Sequence, residues 1–153
     1  MKQSLFFICL FFASCAAWGQ KVVEPSTKDH PEYSKPYPPF RIAGNLYYVG
    51  TYDLACYLIV TPKGNILINT GLAASGPLIK KSIETLGFKL SDTRILLNTQ
   101  AHYDHMGAMA AIKKVTGAKL MLDEGDVTSA ADGGRSDYIS KGDVSVFEPV
   151  KAD

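Results

Sequence analysis

The sequence lacks the features that mark two common classes of partner. No excess of one charge is present, because 16 Lys and Arg residues stand against 15 Asp and Glu residues, a formal net charge of +1. No basic run occurs, so nothing in the composition supports nucleic-acid binding. Long apolar runs are also missing, and the segment from Leu5 to Ala13 is too short to cross a bilayer. We therefore expect no nucleic-acid partner and no stable membrane span.

Residues 1–19 have the layout of a secretory signal peptide. One cation, Lys2, precedes the apolar run, and small residues follow it. Cleavage after Gly19 would satisfy the preference for small residues at the cleavage site, and it predicts a periplasmic protein. The alternative is a lipoprotein signal acylated at Cys15, which fits less well because Phe12 replaces the usual leucine.

Cysteine is scarce once this leader is removed. Cleavage takes away Lys2, Cys9 and Cys15, which leaves 15 basic and 15 acidic residues and Cys56 alone. A single cysteine excludes an internal disulfide, even in an oxidising compartment. Since Cys56 lies in the apolar run "LACYLIV", we expect a small buried hydrophobic side chain rather than a metal ligand or nucleophile.

The remaining chain divides into an arm and one modest domain. Residues 20–44 form the predicted arm, because five prolines lie between positions 20 and 39 and disfavour helix and central strand. His30 lies in this arm and is expected to be a solvated loop residue. Residues 45–153 form the predicted domain, a length suited to one monomeric unit.

Within the domain, strands are expected to precede an alternation of helices and strands. Apolar and β-branched runs predict strands at about 45–50, 55–61, 65–69, 93–99 and 118–124, with a candidate at 144–147. Helical spacing predicts helices over 75–87 and 105–117, the second with Ile112 and Val115 facing inward. This order predicts an α/β (α+β) fold in which an antiparallel meander continues into a sheet with helices on one face. The other face would be uncovered, which suggests that the chain ends before the fold does.

The stretch "NTQAHYDHMGA", Asn98 to Ala108, is the candidate functional motif. It follows an apolar strand and precedes a helix, the place where open α/β sheets bind ligands. A lone histidine there would more often be a packing or surface residue, and a His–Asp pair could be a simple hydrogen bond. Three such residues within four positions, His102, Asp104 and His105, instead predict a zinc site, since zinc accepts imidazole nitrogen and carboxylate oxygen.

The same residues resemble the metallo-β-lactamase fold family. That family has His-x-His-x-Asp-His in this loop, after a strand that ends in Asp-Thr-Gly, and here the two stretches are "QAHYDH" and "NTG". The similarity extends from about Tyr33 to Ser145 and includes "YSKPYPPFRIAGNLYYVG". It is nearest to the third subclass of class B β-lactamases, in particular the GOB type, whose members carry Gln at the first ligand position.

The resemblance implies the αβ/βα sandwich of that family, of which this chain would cover roughly the amino-terminal half. It implies that His102 belongs to a first zinc site, and that Asp104 and His105 belong to a second. Gln100 replaces an imidazole of the first site, and an amide oxygen is a poorer zinc donor, so one ion is expected and two are possible. Asn69 takes a position beside the metals where the family often has Asp.

The resemblance further implies zinc-dependent hydrolysis of β-lactam antibiotics, with Asp104 ligating the metal and orienting water. The family completes each site with a further histidine from its second half, and this chain has none after His105. We therefore expect the chain alone to be inactive. Two alternatives remain: another hydrolase of the same fold, such as a thioesterase or lactonase, and a non-catalytic secreted or lipid-anchored remnant.

Overall fold

A computed structural model describes residues 21–139 and 142–153 of the 153-residue chain. The predicted leader, including Lys2, Cys9 and Cys15, lies outside the described residues. One mixed sheet of six strands, in the order β1-β2-β3-β4-β5-β6, organises the fold. The strands are β1 Phe40–Ala43, β2 Leu46–Tyr48, β3 Tyr57–Ile59, β4 Asn65–Ile68, β5 Thr93–Leu97 and β6 Lys119–Met121.

Four α-helices and three short 3-10 turns connect or follow these strands. The helices are α1 Ser75–Thr85, α2 Tyr103–Met106, α3 Met109–Thr116 and α4 Val127–Asp132. The 3-10 turns are Pro31–Ser34, Leu90–Asp92 and Glu124–Asp126. Among the described residues, no helix combines the length and the hydropathy that crossing a membrane requires.

The sheet changes from antiparallel to parallel at β4. β1 to β4 form an antiparallel meander, and the β3–β4 turn contains Gly64 at a φ of 111°. β5 and β6 each follow a helical crossover and run parallel to β4. The predicted meander and the helix–strand alternation are therefore confirmed, and the carboxyl ends of β4, β5 and β6 lie at one edge of the sheet.

One face of the sheet is fully buried beneath the helices. Leu58, Leu67, Leu96 and Leu120 are cross-strand neighbours on β3 to β6, and each is 0% exposed. The same core contains side chains of all four helices, among them Ile79, Met106, Met109 and Ala130. Burial of these apolar side chains supplies the main driving force for this layer, roughly 1.5–3 kcal/mol for each large one.

The opposite face of the sheet is apolar and only partly covered. Because side chains alternate between the two faces of a sheet, the residues next to the buried leucines along each strand point to this opposite face. Their side chains are half-buried or exposed. They are Tyr57, Ile59, Ile66, Ile68, Ile95, Leu97 and Met121. This apolar face agrees with the expectation that the helices cover one side of the sheet.

Several expectations about single elements were wrong. Phe40–Ala43 is an edge strand within the segment expected to be an arm, and residues 144–147 form no strand but only a bridge between Ser145 and Val22. The helix expected over 105–117 is two helices, α2 and α3, separated at Gly107 and Ala108. Val115 is 69% exposed rather than inward-facing.

Candidate metal centre

The loop between β5 and α2 carries the candidate metal residues, as the motif predicted. β5 ends at Leu97 and α2 begins at Tyr103, so Gln100 and His102 lie in the loop. Asp104 and His105 lie on the single turn of α2. All of them are at the carboxyl edge of the parallel strands.

Neighbouring segments hold this loop and helix at both ends. The backbone N–H of Ala101 donates to Asp126 Oδ2 at 3.1 Å, and the hydroxyl of Ser129 donates to the Ala101 carbonyl at 3.3 Å. At the other end, Thr70 donates from its backbone N–H and from its hydroxyl to the His105 carbonyl, at 2.9 and 3.0 Å. Hydrogen bonds therefore anchor the loop and the helix of the candidate site at both ends.

Asp104 and His105 form a close pair of donors. His105 Nε2 lies 3.6 Å from Asp104 Oδ2, and both side chains are about one-quarter exposed, at 27% and 25%. Two zinc ligands bound at about 2.1 Å with tetrahedral angles are separated by about 3.4 Å. The pair therefore fits zinc in both donor type and spacing.

The orientation of His105 is fixed from behind by a polar chain. Its Nδ1 lies 3.3 Å from the hydroxyl oxygen of Thr99. Asn69, which is only 5% exposed, donates from its side-chain amide to the same hydroxyl at 2.9 Å and accepts from the Thr99 backbone N–H at 3.1 Å. With Nδ1–H donating to Thr99, Nε2 of His105 keeps the lone pair that a metal requires.

His102 has different partners. Its Nδ1 lies 2.6 Å from the side-chain nitrogen of Gln100, and its Nε2 lies 3.2 Å from Asp137 Oδ1. Within residues 21–139 and 142–153, no group of three or more His, Cys, Asp or Glu side chains is arranged to hold a metal ion. The structure thus brings Asp104 and His105 together, and it pairs His102 with Gln100 and Asp137.

Sequence reasoning missed three residues that shape this site. Thr99 stands inside the motif, and its hydroxyl faces His105. Asp126 and Asp137 are 25 and 35 residues away from their partners in the chain. The turn sequence "DGGRSD" was the one signal for Asp137, since its glycines predict a sharp reversal of the chain.

Tyr103 flanks the candidate metal residues as an uncharged hydroxyl. Burial raises the pKa of Tyr103 above its ordinary value, and the nearby groups of Asp104, Tyr33 and Glu24 act in the same direction. This side chain can therefore donate a hydrogen bond at neutral and moderately alkaline pH. His30 has no place in the site; it stacks on Tyr33 and contacts Glu32 in the arm.

A family comparison agrees with this fold. The model of the metallo-β-lactamase superfamily matches residues 50–152, about two-thirds of the chain. This chain belongs to the metallo-β-lactamase superfamily. The resemblance expected from the motif and the mixed α/β fold are both confirmed.

Two solved structures that are similar to this chain are metallo-β-lactamases, one described as class B3 and the other named GOB-18. A class B3 di-zinc metallo-β-lactamase, LRA-12 from an Alaskan soil metagenome, is 68% identical with a TM-score of 0.84, over 86% of this chain and 50% of that one. The metallo-β-lactamase GOB-18 from Elizabethkingia meningoseptica is 56% identical with a TM-score of 0.85, over 88% of this chain and 49% of that one.

A curated relative carries a different activity in its name. It is a hydroxyacylglutathione hydrolase from Bradyrhizobium sp. (strain BTAi1 / ATCC BAA-1182), 32% identical over 76 residues, which are 50% of this chain and 28% of the relative. The chain thus spans about half the length of the two solved structures and less of this relative.

Proposed function

We propose that the full-length protein is a zinc-dependent β-lactamase that hydrolyses the amide bond of β-lactam antibiotics. The observation that carries this proposal is the pair formed by Asp104 Oδ2 and His105 Nε2, 3.6 Å apart at the carboxyl edge of the parallel strands. The similarity to class B3 enzymes supports the substrate class. The predicted leader at residues 1–19 agrees with a periplasmic location.

Asp104 and His105 would hold the principal zinc ion, and His102 would serve a second ion where one binds. A bound zinc ion supplies Lewis acidity and lowers the pKa of coordinated water towards about 7. Asp104 has a second carboxylate oxygen, which can accept a hydrogen bond from the attacking water and hold its proton. Thr99 can accept a hydrogen bond from Nδ1–H of His105, and in that tautomer the imidazole offers Nε2 to the metal.

Gln100 and Asn69 distinguish this site from one with a full set of ligands. The Gln100 amide faces Nδ1 of His102, where a first-site imidazole would otherwise contribute to a shared metal. An amide is a weak zinc donor, so the first site should be weaker than the second. We propose one tightly held ion per chain, at Asp104 and His105.

Asp104→Asn in the full-length protein tests the proposal. We expect hydrolysis of nitrocefin to fall by more than about 100-fold, because a metal donor and a proton acceptor are both lost. Asp29→Asn, at an exposed position in the arm, should leave the rate unchanged. Removal of zinc by chelation should abolish wild-type activity, and added zinc should restore it. Full activity after exhaustive chelation would contradict the proposal.

The second candidate function is thioester hydrolysis, which the hydroxyacylglutathione hydrolase similarity favours. Parallel assays of the full-length protein with nitrocefin and with a hydroxyacylglutathione thioester separate the two. Gln100 favours the β-lactamase, because the other hydrolases of this fold usually keep the first histidine. The export signal predicted at residues 1–19 also favours the β-lactamase. Turnover of the thioester without turnover of nitrocefin would decide for the second function.

A further inference from the structure

A tight loop after α4 directs an acidic side chain towards the metal residues. This Asp137 loop, residues 133–137, begins with Gly133 and Gly134 at φ values of 73° and 88°. A Cβ on Gly133 would lie 2.5 Å from the Phe147 carbonyl oxygen, and one on Gly134 would lie 2.7 Å from Cγ2 of Val146. Only glycine satisfies both the dihedral angle and the space at these positions.

Hydrogen bonds close the loop into a defined turn. The carboxylate of Asp132 accepts from the backbone N–H of Arg135 at 2.9 Å and of Ser136 at 3.1 Å. The backbone N–H of Asp137 donates to the Gly134 carbonyl at 3.3 Å. The hydroxyl of Ser145 donates to the Asp132 carbonyl at 3.0 Å. The position of Asp137 is therefore set by the turn and by the end of α4.

Asp137 meets His102 in a largely buried contact. Asp137 Oδ1 lies 3.2 Å from His102 Nε2, and the two side chains are 12% and 21% exposed. An ionised carboxylate can only accept hydrogen bonds, so Nε2 of His102 carries the proton in this contact. In the neutral imidazole the lone pair then lies on Nδ1, which faces Gln100 at 2.6 Å.

We propose that Asp137 is a positioning residue for His102: it holds the imidazole in the Nε2–H form and presents Nδ1 to the metal side of the loop. Carboxylates behind metal-binding imidazoles fix the ring and make it a better donor. The role in metal binding rests on the proposed function, whereas the choice of protonated nitrogen does not. The two glycines of the loop "GGRSD" thus allow the turn that brings Asp137 to His102.

Histidine nitrogen NMR on the metal-free, full-length protein tests the tautomer directly. In 15N-labelled wild-type protein at a pH where the imidazole is neutral, we expect His102 to show one dominant form with the proton on Nε2. The His102→Gln variant identifies the signals. Asp137→Ala should convert His102 to a mixture of both tautomers, and Asp143→Ala, at an exposed position further along the same segment, should not.

Zinc titration against a chromophoric chelator supplies the second measurement. Asp137→Ala should weaken the second, weaker zinc equivalent by about 10- to 100-fold. The first equivalent, held by Asp104 and His105, should change by less than about twofold. Asp137→Glu should recover part of the loss, because it restores a carboxylate acceptor.

The two measurements test the two parts of the proposal, and an unchanged second zinc equivalent in Asp137→Ala would contradict the part that concerns metal binding. An unchanged His102 tautomer in Asp137→Ala overturns the proposal, whatever the zinc titration shows. Should that variant not fold, Asp137→Leu decides by the same criterion, because leucine is of similar size and has no hydrogen-bond acceptor. A protein that shows the tautomer effect but fails to hydrolyse nitrocefin would contradict the proposed function and leave the role of Asp137 in place.

Discussion

Asn69 combines two tasks that few side chains can perform together. It is the only described residue other than glycine with a positive φ, 57°, and asparagine tolerates that conformation better than most residues. Its amide also bonds to both the hydroxyl and the backbone of Thr99, which in turn faces His105. The family resemblance marked the position, but it could not show that Asn69 acts on His105 through Thr99.

Placing an imidazole at position 100 should strengthen the proposed first metal site. In the full-length protein, Gln100→His should raise the bound zinc from about one towards two ions per chain, because imidazole is a better zinc donor than an amide. Metal analysis after dialysis against a fixed free-zinc concentration measures the change. Gln100→Asn is the matched control, and it should not increase the zinc content. Equal zinc in Gln100→His and wild type would argue against the role assigned to Gln100.

Cys56 confirms the expectation of a small buried hydrophobic side chain. It is 1% exposed, and burial raises the pKa of its thiol from about 9 to about 12. Because the pKa is higher in the folded state, the buried neutral thiol contributes fully to the free energy of unfolding below pH 9. This contribution is lost as the pH rises from 9 to 12, where the thiol of the unfolded chain ionises first. The slope in this window is at most about 1.4 kcal/mol per pH unit.

Alkylation of Cys56 by iodoacetamide measures this protection. At pH 8.5 we expect the native protein to react at least about a hundredfold more slowly than the urea-unfolded protein, because both the thiolate fraction and the access are reduced. Mass spectrometry of the peptide that contains Cys56 gives both rates. Equal rates in the two states would show that the thiol is exposed and contradict the burial of the β3 edge of the core.

At the scale of elements, α2 depends on the close approach of its carboxyl end to the loop after β4. Gly107 donates from its backbone N–H to the Gly71 carbonyl at 2.8 Å. A Cβ on Gly107 would collide with the backbone of Leu72 and Ala73 and would lie 2.7 Å from the Gly71 oxygen. The glycine therefore lets the turn that carries Asp104 and His105 pack directly on neighbouring backbone.

Gly107→Ala should consequently destabilise the full-length protein. We expect a loss of about 1–3 kcal/mol in the free energy of unfolding, since backbone atoms cannot move aside as a flexible side chain can. Gly76→Ala is the matched control on α1, because its Cβ would meet only Ala108 Cβ at 3.6 Å. Urea denaturation of both variants gives the comparison, and equal stability would contradict the packing described here.

The elements that the sequence predicted well are those with strong local patterns. The β3 and β4 strands and helix α1 follow apolar alternation or helical spacing that the fold preserves. β1 escaped prediction because all four of its residues are exposed and it follows a proline-rich stretch. Helix α4, "VTSAAD", escaped because it has one large apolar residue, Val127, and that residue is 41% exposed.

The candidate site divides in the same way. The residues within one loop, Gln100 to His105, could be grouped from their spacing alone. The contact of Asp137 with His102 could not, because it depends on the path of the chain through α4 and two left-handed glycines. Long-range polar contacts of this kind leave no periodic pattern in a sequence.

At the scale of the whole molecule, the apolar face of the sheet is the main feature that the described residues leave partly uncovered. Its cross-strand pairs include Ile66 with Ile95 and Ile68 with Leu97, all half-buried. Contiguous apolar surfaces of this kind mark interaction sites, and they can also bind hydrophobic dyes. The chain spans only about half the length of the solved structures that share its fold.

The 153-residue chain prepared by itself should therefore bind 1-anilinonaphthalene-8-sulfonate with increased fluorescence. The double variant Ile66→Asn, Ile95→Asn should reduce the fluorescence severalfold, because it interrupts the apolar rows at the centre of the face. Val115→Asn, on the exposed side of α3, is the control and should have no effect. Circular dichroism verifies that each variant keeps its helices. Absence of dye binding by the wild-type chain would refute this description of the face.

The amino-terminal arm is hydrogen-bonded to a segment near the carboxyl end of the described chain. The backbone N–H of Val23 donates to the Ser145 carbonyl at 2.8 Å, and Glu24 accepts from the Ala73 N–H at 2.7 Å. Ser145 is also the residue whose hydroxyl braces Asp132 beside the Asp137 loop. A peptidase that removed the arm up to and including Glu24 would thus remove no candidate metal donor. It would, however, break the contacts of the arm with Ser145, which supports the Asp137 loop and, through Asp137, His102.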